Sequence, residues 1–447
     1  MNEERYTVKN IYSKLYKNTN NNSGDAITVS VPGSKSITNR ALLLAVLAKG
    51  KTVLNGVLFS DDSRHFMECV KDLGFDINID EQQRKVEVTG LGGLIPKSKA
   101  DIYVGSAGTA ARFLTALLGI SKGEYHLDAS AQMRRRPMAP LLETLKNAGA
   151  DISFDENEGF FPFTISNAGC NNTHFKVNID TSSQFLSALL ICAPVIGKDV
   201  VIDVYGSHGM AYIDMTVSMM KQFGVDVIRD DNYTNDDCVT FIIKGGQCYK
   251  ALDYIIEPDV SGAAYFYALA AVLGKKVIVE NVHSGCMQGD IRFVELLGQM
   301  GCKVSDTPSG IEVTGPEEGR LKGITANMHT CSDQAITMAA IAPYAESQVK
   351  ITGISHIKFQ ESNRIQAIVN EITRMGIECE SNDDSVTIYP GQPKPAVIET
   401  YDDHRMAMGF SITGLRADGI VIDNPGCCSK TFEDYFEVLD EVITKLQ

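Results

Sequence analysis

Five glycines, Gly74, Gly149, Gly224, Gly301 and Gly376, close amphipathic stretches at intervals of 75, 75, 77 and 75 residues along a chain of 447. A fixed period of this kind means one supersecondary unit used again and again. Each glycine stands where a helix C-cap is expected. A short alternating run follows each one, then a turn, then a second run: KVEVTG, PFTISN, VTFIIKG, IEVTG and VTIYPG. This reads as helix, strand, hairpin, strand. Coincidence among ordinary α/β segments does not keep five glycines in step.

A second repeated unit lies upstream of each such helix. A polar turn opens an apolar helix, and a β-branched strand comes after it. The six openings are SKSITNR (34–40), SAGTAAR (106–112), TSSQFLS (181–187), VSGAAYF (260–266), CSDQAIT (331–337) and YDDHRMA (401–407). The helices they open, such as FLSALLICA and AAYFYALAAVL, are apolar nearly all round, so they are expected inside a domain. The helices that end in the glycines are amphipathic and are expected to form an outer layer. The fold class that follows is α/β, with two similar domains of three repeats each and buried inner helices.

The sixth copy lacks its hairpin, because TFEDYFEVLDEVITKLQ runs to Gln447. Two alternating segments near the N-terminus, RYTVKNIY and AITVSVPG, are otherwise without a partner and are expected to close the ring. Repeats one to three then occupy 34–252. Repeats four to six occupy 253–447 together with 1–33, so one domain holds both termini. The chain is expected to cross near Val31–Ser34 and near Asp253–Glu257. Asn18–Asn22 reads as the tip of a hairpin.

Charge narrows the function. The formal net charge is −15, which argues against a general nucleic-acid binder or an anionic-membrane binder. An anionic ligand therefore needs a local basic pocket. MNEERYTVKN begins polar and acidic, unlike a secretory leader. The longest apolar runs fall short of the ~20 residues a membrane span needs. Eleven cysteines without a C-x-x-C pair read as reduced thiols of a cytosolic protein, with neither a disulfide framework nor a zinc site.

The helix openings offer chemistry. A helix N-terminus presents unpaired N–H groups and a partial positive charge, so it favours anions. Two domains facing each other would aim several such ends at one cleft. Lys35, Ser36 and Arg40 sit at the first opening, with Ser36 and Arg40 as i, i+4 neighbours. Gly108 and Thr109 let backbone N–H groups approach a ligand. Ser182, Ser183 and Gln184 offer hydroxyls and an amide. Asp333 brings a carboxylate, and His404 and Arg405 stand side by side. Outside the openings are Arg134, Arg135 and Arg136, the set Lys358, Glu361 and Arg364, and Lys430. Any one of these alone is better read as an N-cap, a solvated charge or a surface pair. Together they recur at matched positions on apolar helices, where an unpaired charge is costly. P-loop, G-x-G-x-x-G, G-x-S-x-G and H-E-x-x-H patterns are absent.

The motifs PGSKSITNRALLLA, AGTAAR, SSQF, MQGDIRF, YDDHRMAM and KTFEDYF, in this order, resemble the EPSP synthases, the 3-phosphoshikimate 1-carboxyvinyltransferases. The likeness runs over nearly the whole chain and implies an enolpyruvyl transferase-like fold of two domains, each of three βαβαββ repeats. It implies transfer of the enolpyruvyl group of phosphoenolpyruvate to the 5-hydroxyl of shikimate 3-phosphate, with release of phosphate, by addition and elimination through a tetrahedral intermediate. It implies a cytoplasmic monomer with these two small-molecule partners, no nucleic acid, no membrane, no cofactor and no metal. Carried over by motif, the shikimate phosphate contacts fall on Ser36, Arg40, Ser182 and Ser183. Those to phosphoenolpyruvate fall on Lys35, Gly108, Arg136, Gln184, Arg364, Arg405 and Lys430. Thr109 and Tyr212 join the substrate-binding set. Asp333, which also binds substrate, and Glu361 carry the acid–base role, with Lys35 and His404 beside them. Glyphosate, which competes at the phosphoenolpyruvate site in the family, is an expected inhibitor.

Four positions depart from the family pattern: Ser106 and His356 where Asn is usual, Gln360 where Lys is usual, and Gly209 where Ser is usual. They imply weaker affinity for shikimate 3-phosphate before they imply inactivity. Two alternatives remain at this level. One is an enolpyruvyl transferase for a UDP-amino sugar, which the SAQMRRRP segment and the DDHR set disfavour. The other is a non-catalytic anion binder.

Overall fold

The computed structural model describes residues 5–17, 26–206, 209–230 and 238–447. The segment Asn18–Asn22 lies outside the described residues. The chain divides into two compact units, one of residues 33–256 and the other of residues 1–32 with 257–447.

Within the unit 33–256 the second repeat shows the plan. Strand Lys99–Tyr103 leads into the inner helix Gly108–Ile120 and then strand Gly123–Asp128, which lies parallel to the first. The outer helix Ala139–Ala148 follows. The hairpin strands Asp151–Phe154 and Phe163–Asn167 then complete a sheet in which Phe163–Asn167 pairs antiparallel with Gly123–Asp128. The third repeat has the same order, with His174–Asn178, Val200–Tyr205, Val239–Ile243 and Ile228–Asp230 side by side.

Inner and outer helices separate as their composition dictates. Every residue of Gly108–Ile120, Ala335–Ile341 and His404–Gly414 is buried. The outer helix Arg292–Gln299 buries only Phe293, Val294, Leu296 and Leu297, which is one face. The five repeat glycines all have positive φ, between +73° and +108°, where a side chain would be strained. Burying a leucine such as Leu42, Leu43 or Leu44 contributes about 1.5–3 kcal/mol, and all three are inaccessible. The inner helices are therefore the core.

The first strands of repeats one and four are exchanged. Strand Ile27–Val29 precedes the first inner helix, Lys35–Leu47, yet it pairs parallel with Lys276–Glu280 of the fourth repeat. The place beside Lys49–Asn55 in the first repeat is filled by Asp253–Ile255. Residues 253–256 thus belong with 33–252, not with the half that carries the termini. The reason is geometric. The inner helix starts two residues after the chain enters this unit at Gly33, which leaves no length for a strand of its own.

Among the described residues the sixth sheet has three strands, Ala396–Ile398, Ile420–Asp423 and the N-terminal Arg5–Thr7, which runs antiparallel to Ile420–Asp423. So only the first N-terminal segment completes the sixth repeat, and the second serves the fourth. No helix among the described residues is long and apolar enough to cross a membrane.

Candidate active site

In the unit 33–256 the three inner helices open on the expected residues. Lys35 is the first residue of its helix, and its Nζ lies 3.5 Å from Oδ2 of the buried Asp62. Arg40 makes several contacts within the protein. It is buried, with Nε donating to Thr216 Oγ1 at 2.8 Å and Nη1 to the Ser36 carbonyl at 3.0 Å. Nη2 donates to Ser187 Oγ at 3.2 Å and to the Tyr212 carbonyl at 3.3 Å. Its guanidinium also lies 5.9 Å from the Tyr212 ring. Burial pulls its pKa down to about 10. The i, i+4 relation to Ser36 is real but turns inward, so Arg40 ties three helices together and braces the wall that carries Ser36 and Tyr212.

At the second opening Thr109 is likewise taken up, since its Oγ1 accepts from Asn39 Nδ2 at 2.8 Å. The arginine triplet resolves into three fates. Arg134 pairs with Asp128 and Glu156, each at 2.8 Å, and Arg135 is exposed. Arg136 turns to Gly108: a Cβ at Gly108 would stand 2.7 Å from its Nη1 and 3.0 Å from Nη1 of the buried Arg112. Ser106 Oγ meets Ser130 Oγ at 2.7 Å, and Ser130 caps the turn leading to Arg136 by accepting from Met133 N. This departure thus links the two loops. At the third opening Ser182 Oγ accepts the Gln184 amide at 3.3 Å. Ser183 is buried, and a Cβ at Gly209 would come within 2.5 Å of its Oγ. Arg136 Nε and Gln184 Oε1 are buried atoms without a hydrogen-bond partner among the described residues, which is costly unless something else pairs with them.

In the other unit the chemistry concentrates around Arg364. Its side chain is 1% exposed, and it begins the outer helix Arg364–Arg374. Nη1 donates to Asp333 Oδ1 at 3.0 Å, Nη2 to Glu361 Oε2 at 2.9 Å and Nε to Asp403 Oδ2 at 2.8 Å. Gln360 Oε1 accepts from Nη1 as well. Burial opposes this charge, but Asp403, Glu361 and Asp333 outweigh it and drive the pKa up. Arg405 Nη2 donates to Asp333 Oδ2 at 2.8 Å, so Asp333 bridges two arginines. Lys430 Nζ lies 3.5 Å from Glu361 Oε1, which places Glu361 between two cations. His404 is buried as the first residue of its helix, with Nδ1 3.8 Å from Asp403 Oδ1.

Two acids in this group were not singled out by sequence reasoning. Asp403 caps the Arg405 amide at 3.0 Å while holding Arg364. Asp290 is buried and accepts from Gln334 Nε2 at 3.0 Å and from Ser261 Oγ. Burial, reinforced by Asp333, lifts its pKa to about 6 against the opposing pull of Arg405. Both lie inside quoted motifs, YDDHRMA and MQGDIRF, but nothing in the spacing separates a carboxylate that pairs with arginine from one that caps a helix. Of the remaining departures, His356 Nε2 meets Ser332 Oγ at 2.7 Å, next to Asp333. Lys358 is engaged by Asp383 at 3.0 Å.

Carboxylates held by arginines in one unit, and cations and hydroxyls at the helix openings of the other, are the equipment of an enzyme that acts on small anions. The sequence profile described as EPSP synthase (3-phosphoshikimate 1-carboxyvinyltransferase) matches residues 24–439. The 3-phosphoshikimate 1-carboxyvinyltransferase of Trichormus variabilis is 48% identical over 411 residues, covering 92% of this chain and 94% of its own. That of Vibrio atlanticus is 39% identical over 415 residues, covering 92% and 95%. A solved EPSP synthase from Acinetobacter baumannii superposes with a TM-score of 0.76 at 24% identity, over 98% of this chain and 97% of its own. The chain belongs to the EPSP synthase family and is a transferase of the shikimate pathway.

Proposed function

We propose that the residues at these helix openings and those around Arg364 carry the transfer of the enolpyruvyl group from phosphoenolpyruvate to shikimate 3-phosphate. The hydroxyls of Ser36, Ser182 and Ser183 take the phosphate of shikimate 3-phosphate, on the wall that Arg40 braces. Arg364, Arg405, Lys430, Arg136, Lys35 and Gln184 take the carboxylate and phosphate of phosphoenolpyruvate. Arginine suits both groups by bidentate pairing.

The observation that carries this reading is Asp333 bridging Arg364 and Arg405 through its two oxygens. An incoming carboxylate and phosphate compete for those same N–H groups. Binding then releases Asp333 to accept the proton of the 5-hydroxyl as its oxygen attacks C2 of phosphoenolpyruvate. A proton reaches C3 from Glu361 or Lys35, and the tetrahedral phosphoketal forms. Loss of a proton from the new methyl group and cleavage of the C2–O bond to phosphate complete the transfer. His404, beside Asp403, belongs to the same acid–base group. Eleven cysteines without a pairing pattern support a cytoplasmic location, and we take the working form as a monomer.

The test is phosphate release from phosphoenolpyruvate with and without shikimate 3-phosphate. Release only with both is expected. Asp333→Ala is expected to lose at least about a hundredfold in kcat, the lower range for a general base, while shikimate 3-phosphate still binds. Near-normal turnover in that variant would remove Asp333 from the mechanism. Deuterium exchange into the methylene of phosphoenolpyruvate, compared in Glu361→Gln and Lys35→Met, identifies the acid.

A further inference from the structure

The loop that delivers Asp403 and Arg405 is built against backbone preference. Tyr401 and Asp402 both stand at φ +54°. Aspartate tolerates this left-handed region, but a tyrosine there is an outlier, because its Cβ crowds the backbone. Tyr401 is held from outside. Its hydroxyl donates to Glu371 Oε1 at 2.8 Å and accepts from Asn370 Nδ2 at 3.1 Å.

Glu371 is a fully buried carboxylate. Its Oε2 accepts the Glu399 amide at 3.1 Å, and Arg374 donates to both oxygens at 2.8 and 3.2 Å. A carboxylate is costly to bury, and beyond Arg374 of its own helix it is met by Glu399 and Tyr401, two points of one loop. Helix Arg364–Arg374 therefore grips that loop twice. Arg364 holds Asp403, and Glu371, two turns further along the same face, holds Glu399 and Tyr401. One attachment fixes where a loop lies, and two fix its direction.

We infer that Glu371 and Tyr401 are positioning residues for the transfer: they set the left-handed pair Tyr401–Asp402 and thereby aim Asp403 at Arg364 and Arg405 at Asp333. Neither contacts substrate in the reading above, on which this inference rests.

The decisive variant is Tyr401→Phe, which keeps the ring and loses one hydroxyl. Tyr344→Phe is the control. That hydroxyl is buried and donates to the Thr413 carbonyl at 2.6 Å, at the other end of helix His404–Gly414. Tyr401→Phe is expected to raise KM for phosphoenolpyruvate about tenfold, the factor of one lost hydrogen bond to a charged group, with KM for shikimate 3-phosphate within about twofold. Hydrogen exchange of the amides of residues 403–406 is expected to quicken by a similar factor. Tyr344→Phe lowers the melting temperature comparably and leaves both readouts unchanged. Glu371→Gln follows Tyr401→Phe.

Unchanged KM and exchange in Tyr401→Phe, or equal changes in Tyr344→Phe, overturn the inference. If the unmodified protein releases no phosphate with both substrates, the transfer reading falls instead. Exchange then decides positioning alone: quickening confined to 403–406 upholds it, and its absence ends it.

Discussion

Asp403 accepts four hydrogen bonds inside the protein, two from Arg364, one from Ser362 Oγ and one from the Arg405 amide. Replacing it separates its electrostatic from its capping role. Breaking a buried ion pair by removing one partner costs about 3–5 kcal/mol. Arg364 keeps Asp333 and Glu361, so the lower end, about 3 kcal/mol, applies to Asp403→Ala. Loss of the N-cap adds about 1 kcal/mol. The expected destabilisation of Asp403→Ala is therefore about 4 kcal/mol. Asp403→Asn keeps one acceptor oxygen and loses the charge, which is worth about 2 kcal/mol. Equilibrium urea denaturation reads both values, and steady-state kinetics should show KM for phosphoenolpyruvate rising in step, since Arg364 loses its anchor. Two results refute the reasoning: Asp403→Ala costing under about 1 kcal/mol, or the two variants agreeing within about 0.5 kcal/mol, because either would mean that the buried pair is not a stabilising contact.

Gly108→Ala places a methyl group 2.7 Å from Arg136 Nη1; KM for phosphoenolpyruvate is expected to rise about 10- to 100-fold, the worth of a charged hydrogen bond or two, with little change in shikimate 3-phosphate affinity. An unchanged KM would separate Arg136 from phosphoenolpyruvate. Asp290 has a folded-state pKa raised to about 6, so between the ordinary aspartate value and about pH 6 the folded state holds a proton that the unfolded state has released, and stability falls as pH rises through that window. Asp290→Asn removes this slope, and pH-dependent urea midpoints check it: a variant that still loses stability from pH 4 to 6 as the parent does would assign the slope to another group.

The architecture was legible because it rests on local rules applied many times. A glycine after an amphipathic stretch predicts a C-cap, and all five repeat glycines have positive φ. A helix apolar all round predicts burial, and Gly108–Ile120 has no exposed residue. What could not be read was pairing between distant segments. AITV has the alternation of a strand, but alternation does not say which sheet it joins. Its place beside Lys276–Glu280 follows only from where the chain passes from one unit to the other. Direction was equally hidden. Spacing places Ser36 and Arg40 on one face, and only packing shows that Arg40 spends its donors on Thr216, Ser187 and two carbonyls. Three successive arginines likewise give no hint that Arg136 alone turns to Gly108.

The charge of the site shows the same limit, and it bears on selectivity. A chain of net charge −15 that binds anions invites the expectation of a bare basic lining. A guanidinium as buried as that of Arg364 cannot stand bare, because burying an uncompensated charge costs several kcal/mol, so the fold supplies Asp333, Glu361 and Asp403. On the proposed reading, an anion that enters must exchange with these carboxylates. A ligand with a carboxylate and a phosphate can replace Asp333 and Glu361 together and keep every arginine paired. A singly charged anion replaces one and gains nothing over the contact it breaks. The same carboxylates that stabilise the ligand-free site then discriminate among anions, and Asp333 becomes a proton acceptor only once the correct one has displaced it.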